Sequence, residues 1–375
     1  MPAALQVEPD ASFISSVIAA GGKDLEKCCL QCGVCTVACV LAPEEAPFPR
    51  QQMINAQWGL KERALADPGI WLCHNCGDCT AKCPKGARPG DVLAALRCEA
   101  IKMFAYPRFM GRLVADPWGL LPLLALPVII FAAIAKWAPR SALTPHLEFG
   151  NVFPVPTLEA LFFTVAGVVV VAFGLSLRRM LAAWRAAGKS GAVLPGLWPA
   201  LRAVGIHERF ALCRRGRGEY LGHLLTFVGF IGLALTGTTV GIGTMFGVMR
   251  TPLPLASPIK LFANFCAVVI LAGVAILLAE RIRDPEKFLS STYFDWVFVV
   301  TLAGVALTGV LSELLRLGQM ARVMYGVYFV HLVLILALFL YAPYSKFAHL
   351  LYRTAAMAFS SRPSAQPAAL SAEKG

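Results

Sequence analysis

The chain has 375 residues, 57% hydrophobic and only 15% charged, well under the roughly 25% charged that soluble domains carry. This balance excludes an ordinary soluble globular protein and puts most of the chain in lipid. The net charge of +12 would suit nucleic acid, but Lys and Arg sit between apolar runs with no aromatic-interleaved basic patch or DNA-binding motif, so no nucleic-acid partner is expected.

From the N-terminus, Met1 to Lys27 lacks the basic start and continuous apolar core of a secretory signal. Ten of the twelve cysteines then fall within residues 1–118. They include two runs, Cys29-x2-Cys32-x2-Cys35-x3-Cys39 and Cys73-x2-Cys76-x2-Cys79-x3-Cys83 followed by Pro84. Three thiolates at i, i+3 and i+6 wrap three corners of a cubane, and the fourth cysteine, on the following helix, points to the other cluster. The expected ligand sets are therefore crossed: Cys29, Cys32, Cys35 and Cys83 for cluster 1, and Cys73, Cys76, Cys79 and Cys39 for cluster 2. Gly33 and Gly77, directly after each second cysteine, let the backbone turn close to the cluster. Structural zinc normally uses paired two-cysteine knuckles, not this spacing twice over. A reducing cytoplasm makes structural disulfides a poor reading. Cys28 would break the three-residue spacing and is expected to be a non-ligand, while Cys98, Cys213 and Cys266 are expected to be small buried apolar residues. Gln51–Ala66 and Asp91–Phe104 are helical in composition, which suits a helical ferredoxin better than a compact βαββαβ one.

The composition shifts near Pro117, and six apolar stretches beyond it are long enough to span hydrocarbon, near 119–138, 158–177, 221–246, 259–279, 294–312 and 324–343. The segments 178–218 and 280–293 and the C-terminal tail hold sixteen Lys and Arg, whereas the opposite loops hold six. The positive-inside rule then puts both termini and the cysteine domain in the cytoplasm, with the chain in the inner membrane. Residues 186–206, rich in Gly, Ala and Pro, read as a flexible or interfacial segment, and 356–375 as a disordered tail.

The segments CLQCGVCTVAC and CHNCGDCTAKCPKGARPGDVLAALR resemble the small two-cluster subunit of heterodisulfide reductases. The fusion to a membrane cytochrome resembles the third subunit of quinone-interacting membrane-bound oxidoreductase complexes. Val40 stands where such proteins often have Pro after the fourth cysteine. The chain has no cysteine-rich CCG element and no Gly-rich dinucleotide fingerprint in a suitable context, so it relays electrons and needs partners for flavin and substrate chemistry. The resemblance implies cytoplasmic flavin and iron–sulfur subunits as partners, and adenylylsulfate reductase of dissimilatory sulfur metabolism as the protein served.

Histidines inside apolar helices are costly and informative. His223 lies about one turn into the third span, and His331 and His349 flank the second half of the sixth, 18 residues apart, which would place both on one face of a continuous helix. The stretch resembles the last helix of the cytochrome b subunit of respiratory nitrate reductases, in which two such histidines each ligate a haem. The partners there lie ten residues apart on one earlier helix, and here that position is Leu233. One haem b between His223 and His349 is the expected arrangement, and a second haem would need another ligand for His331, with His146 a poor candidate. The alternative register pairs His223 with His331 and His207 with His349, although Gly216-Arg217-Gly218 should interrupt the helix between His207 and His223.

The expected fold is all-α: a helical two-cluster ferredoxin domain (1–118), a six-helix transmembrane bundle (119–355) and the tail (356–375). The expected function is electron relay between quinone, haem b, two [4Fe-4S] clusters and a cytoplasmic flavoprotein. A membrane anchor, or an assembly or sensing protein without quinone chemistry, is the alternative.

Overall fold

The computed structural model describes residues 8–22, 25, 29–42, 47–137, 147–213, 217–285, 288 and 291–360. In chain order its helices are α1 (Ala11–Ala19), α2 (Val34–Ala38), α3 (Arg50–Gln57), α4 (Lys61–Leu65), α5 (Gly69–Leu72), α6 (Asp78–Ala81), α7 (Pro89–Phe104) and α8 (Arg108–Ala115). There follow α9 (Leu120–Trp137), α10 (Val155–Ala186), α11 (Val193–Gly205), α12 (Glu208–Ala211), α13 (Arg217–Met245), α14 (Pro258–Arg283), α15 (Tyr293–Leu317), α16 (Ala321–Leu340) and α17 (His349–Ser360). Among the described residues there is no strand, so the fold is all-α as expected.

Among the described residues six helices are long and apolar enough to cross a membrane: Pro117–Trp137, Val155–Ala186, Arg217–Met245, Pro258–Arg283, Tyr293–Leu317 and Ala321–Leu340. They coincide with the six expected stretches, and the second runs nine residues further, to Ala186. Their ends follow local chemistry. Ser257 caps α14 by accepting the Lys260 amide, and Thr292 and Asp295 form a reciprocal capping box at the start of α15. Pro343, which lacks an N–H and clashes with the carbonyl four residues back, lies just past the end of α16 at Leu340.

The described residues fall into two compact units. The first comprises Met1–Ala100, Leu177–Arg215 and Ala348–Gly375; the second comprises Ile101–Ser176 and Gly216–Phe347. The second unit contains most of the membrane-crossing sequence. There α13 packs against α14 through glycines: a Cβ on Gly229 would lie 2.8 Å from the Cys266 carbonyl oxygen, and one on Gly232 would meet the Cys266 Sγ. Small residues of this kind let two backbones approach where lipid offers no hydrophobic drive for association. Cys266 is 2% exposed and fills the space left by Gly232, in line with the expected apolar role. Lys260 of α14 pairs with Glu313 of α15 at 2.7 Å. The Tyr341 hydroxyl donates to the Leu123 carbonyl and that of Tyr344 to the Tyr106 carbonyl, both at 2.8 Å.

In the first unit, two stretches depart from expectation. Residues 193–205 form helix α11, and Met357 and Ala358 of α17 share an apolar cluster with Ala200 of α11. Trp184 and Phe359 also pack ring to ring, with centroids 5.2 Å apart. Gly and Pro give 186–206 a weak local preference, and burial against α17 supplies what propensity does not. The expected tail likewise begins inside α17, whose residues Ala355–Phe359 are buried; its remainder, 361–375, lies outside the described residues.

Candidate metal centres

Each cysteine run folds as an extended loop, a tight turn and one short helix. Gly33 and Gly77 sit at the N-caps of α2 and α6 with φ of 81° and 83°. No described atom lies within 4 Å of a Cβ placed on Gly77, so the left-handed backbone and not crowding calls for glycine there.

The eight cysteines converge on two cavities, and each cavity draws on both runs. One, of about 380 Å³ and partly open to solvent, is lined by Cys29, Cys32, Cys35 and Cys83. The other, of about 400 Å³, is lined by Cys39, Cys73, Cys76 and Cys79. Thiol electrostatics follow the same grouping. Burial pushes the Cys35 thiol up, and Cys29, Cys32 and Cys83 push it further. Burial raises Cys39 as well, with Cys73 and Cys76 as its facing sulfurs. Cys79 is raised most by burial, then by Cys73, Cys76 and Cys39, and least by Cys35 of the other cavity. Four thiolates confined in this way need a bound cation to offset their repulsion. No three described His, Cys, Asp or Glu side chains close on a single-ion site, whereas zinc with bonds of about 2.3 Å would hold its sulfurs within about 4 Å of each other. The donor chemistry fits two clusters better than two lone ions. Each cavity sets three cysteines of one run beside the fourth cysteine of the other.

The two cavities differ in their surroundings. In the first, the Gln31 side-chain amide donates to the Cys29 Sγ and the Ala87 amide to the Cys83 Sγ, both at 3.3 Å, and Cys32 is exposed. In the second, Cys73 and Cys79 are buried, and the Asn75 amide donates to the Cys73 Sγ at 3.3 Å. Cys213 also lines this second cavity. Its thiol hydrogen-bonds Cys76, which lowers the Cys76 pKa and raises that of Cys213. Cys213 is thus a fifth sulfur at the second cavity and not the inert packing residue that its isolation in the sequence suggested.

Arg353 of α17 reaches the same loop. Its Nε donates to the Trp71 carbonyl at 3.0 Å, its Nη2 to the Cys73 carbonyl, and its Nη1 to the His74 Nδ1 at 2.9 Å. This fixes the His74 proton on Nε2, and the ring stacks on Phe210 with centroids 5.4 Å apart. Nearby, Arg97 donates to the Ile70 carbonyl at 3.0 Å. Sequence reasoning singles out none of Arg353, Arg97 and His74 as site residues: Arg353 lies far along the chain from the motif, Arg97 reads as an ordinary helix position after it, and His74 occupies a position between cysteines that any residue could fill.

The histidines are distributed differently from expectation. His331 lies on α16 and His349 opens α17, with two 3-10 turns, Ala342–Tyr344 and Lys346–Ala348, between them. The two therefore do not share one continuous helix face, and Pro343 is the physical reason. His223 lies on α13. His207 is the N-cap of α12 with a left-handed φ of 54°, buried in the turn after α11 and outside any membrane-crossing helix. His146 and Cys28 lie outside the described residues. The His331 ring packs over Gly309, where a Cβ would lie 2.9 Å from its Cε1. Its Nδ1 is 3.1 Å from the Thr308 Oγ1, whose own proton goes to the Gly304 carbonyl at 2.6 Å.

Residues 26–87 match the 4Fe-4S dicluster domain family. One subunit of the H(2):CoB-CoM heterodisulfide,ferredoxin reductase of Methanothermobacter thermautotrophicus is 38% identical over 94 residues, 25% of this chain and 50% of that protein. A subunit of the ferredoxin/F(420)H(2)-dependent CoB-CoM heterodisulfide reductase of Methanosarcina acetivorans is 31% identical over 112 residues, 28% of this chain and 67% of that protein. Citrate utilization protein B of Escherichia coli is 28% identical over 315 residues, 76% of this chain and 79% of that protein. The chain spans about half the length of the first of these relatives. No solved structure matches the chain.

Proposed function

The iron–sulfur part of this chain belongs to the family of heterodisulfide reductase iron–sulfur subunits, and on that premise we propose that the whole protein relays electrons between a membrane quinone and a cytoplasmic flavoprotein partner. The observation that carries the reading is the fusion of two four-cysteine cradles to six helices able to cross a membrane. Bound clusters supply one-electron carriers, and the cysteines hold them. We further propose haem b in the membrane part, with ligands drawn from His223, His331 and His349. His331 gains support from its Thr308 contact, because a ligating imidazole commonly hands its second nitrogen's proton to a fixed acceptor. His207, in a turn outside the membrane helices, loses it. The excess of Lys and Arg on 178–218, 280–293 and the tail supports cytoplasmic termini in an inner membrane.

By resemblance, the partner would be the flavin and iron–sulfur subunits of a quinone-interacting complex serving adenylylsulfate reductase. The likeness to citrate utilization protein B, over 76% of this chain, favours a second reading in which the chain serves citrate utilization. The two readings separate on which substrate, adenylylsulfate with sulfite or citrate, changes the redox state of the chain in membranes of the source cell.

The test of the core reading is a reduced-minus-oxidised visible spectrum of purified membranes. A b-type signal reducible by a quinol analogue is expected. Absence of that signal, with clusters that quinol leaves oxidised, would leave the anchor or assembly reading in its place. His331→Ala is expected to remove a haem signal, and comparison with His223→Ala and His349→Ala then assigns the pairs. A reporter fused after Gly375 is expected to be active only in the cytoplasm, and one near Leu147 only outside.

A further inference from the structure

The second cradle is completed by chain segments that lie outside both cysteine runs, and the most distant of them brings a positive charge. Arg353 is partly buried and spends its guanidinium on the carbonyls of Trp71 and Cys73 and on the His74 ring. Among the described residues no carboxylate lies within ion-pair distance of it. The groups that act on its charge are Arg97, which opposes it, and the sulfurs of Cys73 and Cys213, which favour it. A guanidinium stays protonated throughout the physiological range, so Arg353 is a cation at neutral pH. A cation withdrawn from water without a counter-ion is costly. The negative charge available to offset it is that of the cysteine sulfurs and whatever they bind.

We propose that Arg353, assisted by the Cys213 thiol, raises the reduction potential of the second cluster relative to a cradle without them. The electron added on reduction makes a four-thiolate cluster more negative, and a fixed cation beside the Cys73 loop favours that state. An S–H donated to the Cys76 sulfur withdraws charge from the same centre, and hydrogen bonds to cluster sulfurs are among the factors that set such potentials. The first cradle has basic residues at its rim, Arg50 and Lys85, but both are exposed, where water and salt screen them. One neighbour of the second cradle works the other way: the Asp78 carboxylate lies 3.5 Å from the Cys76 Sγ. The role of Arg353 is thus positioning and electrostatic; it ligates nothing. The inference rests on the cradles holding iron–sulfur clusters and is independent of the quinone and haem readings.

The experiment is an anaerobic redox titration of the purified full-length chain followed by electron paramagnetic resonance, with Cys32→Ser used to assign the first cluster's signal. Iron and sulfide are measured on every sample, so loss of a cluster is distinguished from a shift in its potential. Arg353→Gln is expected to lower the second cluster's midpoint by at least a tenfold change in its reduction equilibrium, about 59 mV for one electron, and to leave the first unchanged. Arg353→Lys keeps the charge and should restore most of the shift, while Cys213→Ala should lower the same midpoint by less. An unshifted second cluster in a fully loaded Arg353→Gln protein would overturn the proposal, as would Arg353→Lys shifting as far as Arg353→Gln. If Arg353→Gln fails to hold the second cluster, Arg353→Lys decides: a loaded cluster at the native midpoint supports the charge, and loss there too makes the residue purely structural.

Discussion

The two cradles begin from one motif, four cysteines with glycine after the second, and end in different environments. The first stays near water, with Cys32 exposed and two N–H donors on its sulfurs. The second buries Cys73 and Cys79 and takes in Cys213, Arg353 and His74 from elsewhere in the chain or from the loop itself. The comparison teaches that ligand identity and cluster environment are separate properties of the sequence. The eight lining cysteines come from two short local spacings, whereas the environment is assembled from segments far apart along the chain.

The largest effect that could break this comparison is on cluster content. Cys79→Ser removes a buried ligand of the second cradle and should halve the iron from about eight to about four per chain. Cys83→Ser should do the same to the first cradle although Cys83 belongs to the second run. Damage to the second cluster alone by Cys83→Ser would show the crossed grouping to be wrong. A smaller effect is expected from exposure: in air or ferricyanide the signal of the open first cradle should decay before that of the second. Equal decay would mean that burial of Cys73 and Cys79 does not govern oxidant access. Next comes charge. Asp78→Asn should raise the second cluster's midpoint, opposite in sign to Arg353→Gln. The smallest effect is backbone strain. Gly77→Ala should cost about 1–2 kcal/mol, the cost of left-handed backbone for a residue with Cβ, read as a lower temperature for loss of cluster absorption.

The parts legible from sequence are those with local signals. Two complete cysteine spacings pointed to the eight cysteines that line the two cavities, and six apolar runs pointed to the six described helices long and apolar enough to cross a membrane. What the sequence does not show has tertiary causes. Helix α11 carries Gly and Pro that weaken its local preference, and it packs with the end of α17 in one apolar cluster around Ala200 and Met357. Cys213 is unreadable as a cradle residue because nothing near it in sequence points to Cys76. The 18-residue interval between His331 and His349 fails for another reason: it fits helical periodicity, but Pro343 interrupts the helix, and that signal is present in the sequence.

The most direct test of the central claim, that these eight cysteines hold two cubane clusters in crossed cradles, is metal and sulfide analysis of the anaerobically purified chain joined to low-temperature paramagnetic resonance after reduction. About eight iron and eight sulfide per chain, with two signals of which Cys83→Ser removes the one that Cys32→Ser also perturbs, is the expected result. Zinc in place of iron, with no paramagnetic signal on reduction, would contradict it.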